Sequence, residues 1–489
     1  MLSLGVDVGT TNVKVALVEI RDENGEPAAR ELVVATAPTP ASGTDMVGEV
    51  LRLVAEVAET SDGRRPDCVG VASMAETGVP LDHDDHPLGD MIRWDGHRGQ
   101  TDAAQLSATY GAAALFAATG VRPSGKAPLA VWAQLRRTDS RRWSSMRRWA
   151  GAADLVALAL TGRLVTDHTL AGRSMAYRLA EPGTGPADGF DTDLLAAVGL
   201  RSEQLPEVRL AAASAVPSRP GIAGLRPGTP VVVAGHDHQV GAWAAGVRQP
   251  ADVADSIGTA EAVLTVLERR PDPEAVREAG MSLVRTVGGA SEALVAGSSS
   301  AGSMLRWWID QVLRDPEIKP SKVDALLGAA ADRRGPARAF VLPYLHGRQS
   351  PSPDAAATAR LIPASAGDDQ VDLAAALLDG LNLQARWVLT VQSALAGYRL
   401  RDQLVRVLGS AARDGSPWLR TKAAVGPARL QVVLSAEPVA AGAALLAAQR
   451  CGMADAELRL PDRLVADKPL TAYDDVYSDF VEAAEQRSA

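Results

Sequence analysis

The stretch "LSLGVDVGTTNVKVALVEI", residues 2–20, sets two β-rich runs around Gly-Thr-Thr. Residues 251–267, "ADVADSIGTAEAVLTVL", repeat that plan around Gly-Thr. A tight turn between two aliphatic, β-branched runs closes an antiparallel hairpin. The first hairpin continues through "RDENGEP", an Asn-Gly turn signal, into "ELVVATA", which predicts a meander of three strands. "DMVGEVLRLVAEVAET" then spaces its apolar residues as a helix does, and "DCVGVASM" returns as a strand. Hairpins followed by alternating helices and strands indicate an α/β domain. The second hairpin predicts a second copy of the plan, with a boundary near "GVRQP", residues 246–250. A chain of 489 residues also exceeds what one core comfortably holds. Two domains are expected, residues 1–247 and 248–489.

Composition narrows the partners. A net charge of −9 argues against nucleic acid or an anionic membrane, while a local basic pocket for phosphate stays compatible. Aromatics are 4% of the chain, so Ala, Val and Leu must fill the cores. The longest apolar runs are too short to span a bilayer, and the N-terminus lacks the pattern of a signal peptide. A cytoplasmic protein is expected, with Cys68 and Cys451 as reduced, partly buried thiols. The basic run "QLRRTDSRRWSSMRRW" reads as a solvated helix face.

Four stretches carry candidate chemistry. In "DVGTTNVK", Gly9 permits a tight turn, and Thr10, Thr11 and Asn12 offer N–H groups and hydroxyls to phosphate oxygens. Lys14 adds positive charge, and Asp7 suits Mg²⁺ held through water. An ordinary turn with a surface lysine explains the same residues. Neither a Walker loop nor a G-x-G-x-x-G fingerprint occurs here.

"TPVVVAGHDHQVGAWAAGV" reads as strand, sharp turn at Gly235, then helix. Asp237 at the junction has three readings: helix N-cap, catalytic base, or metal ligand with His236 and His238. Zinc is disfavoured, because residues i and i+2 share a face only on a continued strand, and no further local ligand cluster exists.

In residues 73–99, Glu76, Trp94, Asp95 and Arg98 would gather carboxylates and a flat ring, a mix that suits a hydroxylated ligand. Hairpin charge with Trp94 as core is the plain alternative. In "VRVLGSAARDGSPW", Gly409, Ser410 and Ala411 leave room for a flat ring against backbone, or simply for close β–α packing.

Taken in order, "LGVDVGTTNVK", "RWDGHR", "LTGRLVTD", "AGHDHQVGA", "SIGTAE", "PYLHGRQSP", "DLAAALLDG" and "GSAARDGSPW" resemble the FGGY carbohydrate kinases of the actin-like, ribonuclease-H-like ATPase superfamily. The resemblance spans nearly the whole chain. It implies two ribonuclease-H-like (actin-like ATPase) domains around a central cleft, with sugar mainly on the first and ATP mainly on the second. The implied reaction moves the γ-phosphate of ATP to a hydroxyl of a sugar, ketose or polyol, with Mg²⁺ on the phosphates. Asp237 is then the base, beside both substrate and metal, and Asp7 helps place Mg²⁺. Thr10, Thr11, Lys14, Gly258 and Thr259 would hold the phosphates. Gly302, Gly409, Ser410 and Ala411 would border the adenosine, and Glu76, Trp94 and Ser124 would face the sugar. The resemblance leaves room for a homodimer.

Three departures stand out. Gly409-Ser410 replaces the usual Gly-Gly, "GRQSP" replaces Gly-Glu-Arg-[ST]-Pro, and "SMAETG" replaces the segment typical of xylulose kinases. Two other classes compete: an actin-like scaffold ATPase and a catalytically inactive, sugar-sensing relative. The sugar-side stretch and the intact Asp7 and Asp237 argue for the kinase.

Overall fold

The computed structural model describes residues 1–486 except 24–25, 61–62, 211–213, 259, 300, 364–368, 454–456 and 467–468. The chain forms two compact units. One comprises Met1–Arg248, Leu283–Ala293 and Ser435–Pro461; the other comprises Gln249–Ser282, Leu294–Leu434 and Asp462–Ala489.

In the first unit, β1 (Leu2–Val8), β2 (Asn12–Glu23) and β3 (Glu26–Pro38) form the expected antiparallel meander. Helix α1 (Gly43–Glu59) follows, with Ser42 capping its first turn through Asp45 N. The chain then re-enters the sheet as β4 (Cys68–Ser73), parallel to β1, and later as β5 (Pro230–His236), parallel to β4. The order is β3–β2–β1–β4–β5, with the short strand Val216–Pro217 beyond β5. β5 runs directly into α2 (Asp237–Ala244).

Both faces of β1 are buried. Because side chains alternate along a strand, Leu4, Val6 and Val8 point to one face, where they pack with Met46, Val50 and Leu53 of α1 and Val69 and Val71 of β4. Ser3, Gly5 and Asp7 point to the other.

The second unit repeats the scheme. β6 (Val253–Ile257) and β7 (Ala260–Leu267) are the second hairpin. β8 (Leu404–Leu408) lies parallel to β6, and β9 (Arg429–Val433) lies parallel to β8. Within the main sheet these strands run β7–β6–β8–β9–β10, the last being Asp462–Leu464. Helix α3 (Gln370–Ala396) is the long helix of this unit, and α4 (Pro417–Val425) connects β8 to β9. A buried ion cluster joins hairpin and helix: Lys422 Nζ lies 2.5 Å from Asp255 and 3.1 Å from Glu261.

Helix α5 (Pro438–Arg450) follows β9 in sequence, yet it belongs to the first unit. The packing units therefore do not divide at a single point near residue 247. The cause is local: α5 lies with its backbone directly on the face of β1 and β4 that carries Gly5 and Gly70. A Cβ on Gly5 would stand 1.8 Å from the Ala440 carbonyl oxygen, and one on Gly70 would stand 1.9 Å from that of Ala443. Ser3 Oγ donates to the Ala444 carbonyl at 2.7 Å. Gly442 gives the same closeness to α2, where a Cβ would meet that of Ala244 at 2.7 Å. Cys68 and Cys451, distant in sequence, meet where α5 ends on β4, and both are free thiols. Among the described residues no helix is long and apolar enough to cross a membrane.

This packing predicts unequal responses to one added methyl. Gly70→Ala should cost roughly 3 kcal/mol or more, since no flexible side chain can move aside. Gly48→Ala, exposed on α1 with nothing within 4 Å of the new carbon, should gain about 0.5–1 kcal/mol. Denaturant unfolding of the two variants measures both, and equal effects would contradict the backbone-on-glycine contact.

Candidate functional site

The parallel strands β1, β4 and β5 end side by side. Asp7 pairs with Ala72, while Val8 and His236 both pair with Ser73. Carboxyl ends of adjacent parallel strands are where α/β sheets open to ligands. Here they deliver Asp7 and the 9–12 turn, then Met74–Thr77, then His236-Asp237-His238.

The β5–α2 junction is held tightly. Gly235 has φ +131°, and a Cβ there would stand 2.3 Å from Thr169 Oγ1 and 2.9 Å from Asp167 Oδ1. Thr169 Oγ1 accepts from His236 N at 2.9 Å and donates to Asp167 Oδ1 at 2.6 Å. Arg450, the last residue of α5, pairs with Asp167 at 2.9 Å and donates to the Val233 carbonyl at 2.9 Å. Burial alone would raise the Asp167 carboxyl. The His168 and Arg450 charges, with Thr169, hold it well below the usual carboxylate range.

Two expectations are corrected here. Asp237 is not the N-cap: His236 occupies that position without a side-chain cap, and Asp237 is the first helical residue. Nor do the two histidines point apart. A shared face was expected only on a continued strand, yet the helix that starts at Asp237 brings the rings together edge-on, with centroids 5.4 Å apart. Ligand atoms of His236, Asp237 and His238 all lie within 4.8 Å of one another. These three donors are one short of a closed tetrahedral zinc set. Asp237 Oδ1 accepts from His238 N at 2.7 Å and lies 3.2 Å from His236 Nε2, which leaves Oδ2 for another partner. Burial, reinforced by the charges of His238, Arg173 and Lys126, pushes the His236 ring well below its usual value.

Asp7 is buried at the end of β1. Desolvation pushes its carboxyl up to about 7, against Lys14 and with help from Asp237 and Glu437. Its Oδ1 is buried with no hydrogen-bond partner. Lys14 Nζ lies 3.8 Å from Asp7 and 2.7 Å from Glu437, the residue preceding α5. Glu437 was not anticipated, since only a lone acid before Pro438 marks it in the sequence.

Thr10 joins the turn to the 93–95 segment. Its Oγ1 accepts from Trp94 Nε1 at 2.9 Å, and its carbonyl accepts from Arg93 Nη1 at 3.1 Å. Thr11 is exposed. Trp94 is half-buried; Asp95 and Arg98 are exposed, and Asp95 is paired with Arg93 at 2.7 Å. So the structure draws Trp94 toward Thr10 and turns Asp95 to its neighbour.

The Glu76 side chain is only 7% exposed, and the residue adopts φ +64°, a left-handed conformation that costs a non-glycine residue energy and recurs at functional sites. Arg173 Nη2 donates to its Oε1 at 2.6 Å, and Lys126 Nζ lies 3.4 Å from its Oε2. Burial would raise the Glu76 carboxyl, but these two cations bring it below its usual value. Lys126 also sits 5.8 Å from the Trp94 ring centroid. Ser124 is half-buried in the turn before Lys126, its carbonyl accepting from Ala127 N at 3.1 Å. Glu76 and Thr77 border a pocket whose other walls include Trp132, Trp149, Asp154 and Phe190. Lys126 and Arg173 were missed, because nothing local in sequence pairs them with Glu76.

In the second unit, parallel strands β6 and β8 also end together, with Ser256 opposite Leu408. Gly258 follows β6 and Gly409 follows β8. Gly409 has φ +107°, and a Cβ on it would stand 2.2 Å from the Ile257 carbonyl oxygen. Ser410 and Ala411 begin a short helical turn, Ser410–Ala412. The structure thus brings Gly258 and 409–411 to one edge. Gly302 is exposed in the first turn of the helix Ala301–Trp307. Thr259 lies outside the described residues.

The FGGY family of carbohydrate kinases matches this chain twice, its N-terminal domain over residues 2–244 and its C-terminal domain over 253–451. The chain belongs to the FGGY family. It is 21% identical to a gluconokinase from Bacillus licheniformis, over 71% of this chain and 68% of that one. It is 26% identical to a xylulose kinase from Streptomyces rubiginosus, over 91% and 87%. The structure of xylulose kinase from Lactobacillus acidophilus superposes with a TM-score of 0.82 at 17% identity, covering 99% of this chain and 97% of that one. The fold is the two-domain actin-like ATPase fold. As an FGGY carbohydrate kinase, the protein phosphorylates a sugar or polyol with ATP as donor.

The buried His236 predicts a pH signature. Below 6.5, the ordinary histidine value, the unfolded chain binds a proton that the folded chain refuses. Its contribution is therefore full above 6.5 and falls as pH drops, by about 1.4 kcal/mol per unit. Urea unfolding between pH 8 and 5.5 should show a shallower pH slope in His236→Asn than in the wild type. Equal slopes would mean that the ring protonates in the fold.

Proposed function

We propose that Asp237 is the general base of this FGGY kinase. The substrate hydroxyl oxygen attacks Pγ of ATP, the bond from Pγ to the β–γ bridging oxygen breaks, ADP leaves, and the hydroxyl proton passes to Asp237. The observation that carries this reading is the set of three parallel strand ends bringing Asp237, Asp7 and Glu76 to one edge of one sheet. Asp237 Oδ1 is already engaged, so Oδ2 is the atom assigned to the proton.

Asp7 fits Mg²⁺ by its chemistry: a hard oxygen donor, buried, with Oδ1 unpartnered and further negative charge from Asp237 and Glu437 nearby. Bound there, Mg²⁺ would neutralise charge on the transferring phosphates. Thr10, Thr11 and Lys14 are assigned to phosphate oxygens. Lys14, paired with Glu437 and near Asp7, is held in place for that role. Glu76, Trp94, Asp95 and Ser124 are assigned to the acceptor. In the second unit, Gly258, Thr259, Gly302, Gly409, Ser410 and Ala411 are assigned to the nucleotide, on the strength of the bare glycine edge at 258 and 409. In this reading residues 1–247 carry the acceptor and 248–489 the nucleotide, in a cytoplasmic enzyme that works alone or as a homodimer.

Asp237→Asn should lower kcat by roughly 10²–10⁴-fold, the range of positioned base catalysis, with folding and ATP binding intact. Retention of more than a tenth of wild-type turnover would remove Asp237 from the role. Sugar-dependent ADP release in the wild type separates the kinase from a scaffold ATPase and from an inactive sensor.

Glu76→Gln should raise the acceptor KM or lower kcat by about tenfold or more, since hydrogen bonds to charged groups contribute about 1.5–3 kcal/mol. The KM for ATP should stay the same. A rise in the ATP KM alone would place Glu76 at the wrong substrate.

A further inference from the structure

We propose that the acceptor is a sugar acid whose carboxylate is received by Arg173 and Lys126; this rests on the kinase reading above. Beside the Glu76 carboxylate, its two neighbouring cations keep donors that it does not take up. Both Glu76 oxygens are engaged, Oε1 by Arg173 Nη2 at 2.6 Å and Oε2 by Lys126 Nζ at 3.4 Å. Arg173 is buried, yet its Nε and Nη1 have no hydrogen-bond partner. Lys126 carries three donors on one nitrogen, and its side chain is about a quarter exposed.

Buried polar groups in folded proteins are normally satisfied, and a guanidinium cannot escape the requirement by losing its proton. Two cations against one carboxylate also leave this trio with an excess positive charge. A neutral sugar hydroxyl would supply acceptors without charge. A carboxylate supplies both, and charge-assisted bonds of this kind are about twice as strong as neutral ones.

Location supports the assignment. The charges of Arg173 and Lys126 are felt at His236, next to Asp237, and Lys126 lies 5.8 Å from the centroid of Trp94. The two segments that form the ion pair are each held in an unusual backbone shape, with φ +64° at Glu76 and φ +60° at Met175, two residues past Arg173. Non-glycine residues keep such angles only where the surrounding structure enforces them. Glu76 then acts chiefly as a positioning residue, aiming the two cations and balancing one of them in the free enzyme.

The test uses the full chain with Mg²⁺ and ATP and follows ADP release. Acceptors are five- and six-carbon aldonates, each set against the aldose, ketose and polyol of the same carbon skeleton. The best aldonate should exceed its neutral counterparts by at least tenfold in kcat/KM, and without ATP it alone should raise the Tm. Lys126→Gln should raise the aldonate KM at least tenfold, at least three times as much as it raises that of any neutral acceptor, while the KM for ATP changes less than threefold. Lys126 is chosen because its side chain is about a quarter exposed and its contact with Glu76 is the longer one, whereas an Arg173 variant would remove the 2.6 Å bond from a buried guanidinium. A neutral acceptor that outperforms every aldonate overturns the sugar-acid assignment and leaves the kinase intact. So does a Lys126→Gln effect that is equal for acids and neutral sugars. ADP release with no acceptor at all, and no Tm shift with any, would instead overturn the kinase reading itself.

Discussion

The direct seating of α5 on the Gly5 and Gly70 face of the first sheet is the contact on which the first unit depends. Helix and sheet ordinarily meet through side chains, at about 10 Å. Here the carbonyls of Ala440 and Ala443 occupy the space where two Cβ atoms would be. So close an approach places many backbone atoms in van der Waals contact at once and leaves no room for adjustment. It also sets the height of the helix above β1 and β4, and with it the positions of both helix ends.

Both ends reach the site. Glu437, before the first turn, meets Lys14 and adds its charge to the field at Asp7. Arg450, in the last turn, clamps Asp167, which holds Thr169, which in turn receives the N–H of His236. One helix thereby spans from the first hairpin to the proposed base. The buried charges along this route are all paired or hydrogen-bonded, which is the condition for keeping them inside a protein. Asp7 Oδ1 is left without a hydrogen bond, and the proposed Mg²⁺ site rests on that oxygen.

Much of the architecture was legible because it is written locally. The first hairpin, α1, the strand–turn–helix around Gly235 and the small-residue turn after β8 each follow from periodicity and turn chemistry within some twenty residues. The order of motifs then pointed to the family. What escaped was whatever depends on distant partners. Lys126 and Arg173 look like unremarkable surface charges until Glu76 is placed between them. Glu437 and Arg450 look like the ends of an Ala-rich helix of the second half, and only packing reveals that α5 belongs to the first unit. The orientation of His236 and His238 failed for a different reason. The turn at Gly235 was recognised, but a shared face was expected only on a continued strand, whereas the coil of a helix starting at Asp237 also brings the two rings together.

The return of α5 has a consequence for how the protein comes into being on the ribosome. β1 and β4 emerge before the second hairpin, α3 and α4, yet the surface that covers Gly5 and Gly70 is synthesised only after these. Until then the nascent first sheet presents an uncovered strip of backbone and small residues, and its strand ends lack the arginine that steadies the β5 junction. The N-terminal half is therefore not a finished folding unit waiting for a second one to follow. An earlier part of the chain is completed by a much later one, so translation must pass Arg450 before the β5 junction beside Asp237 can be held in its final place.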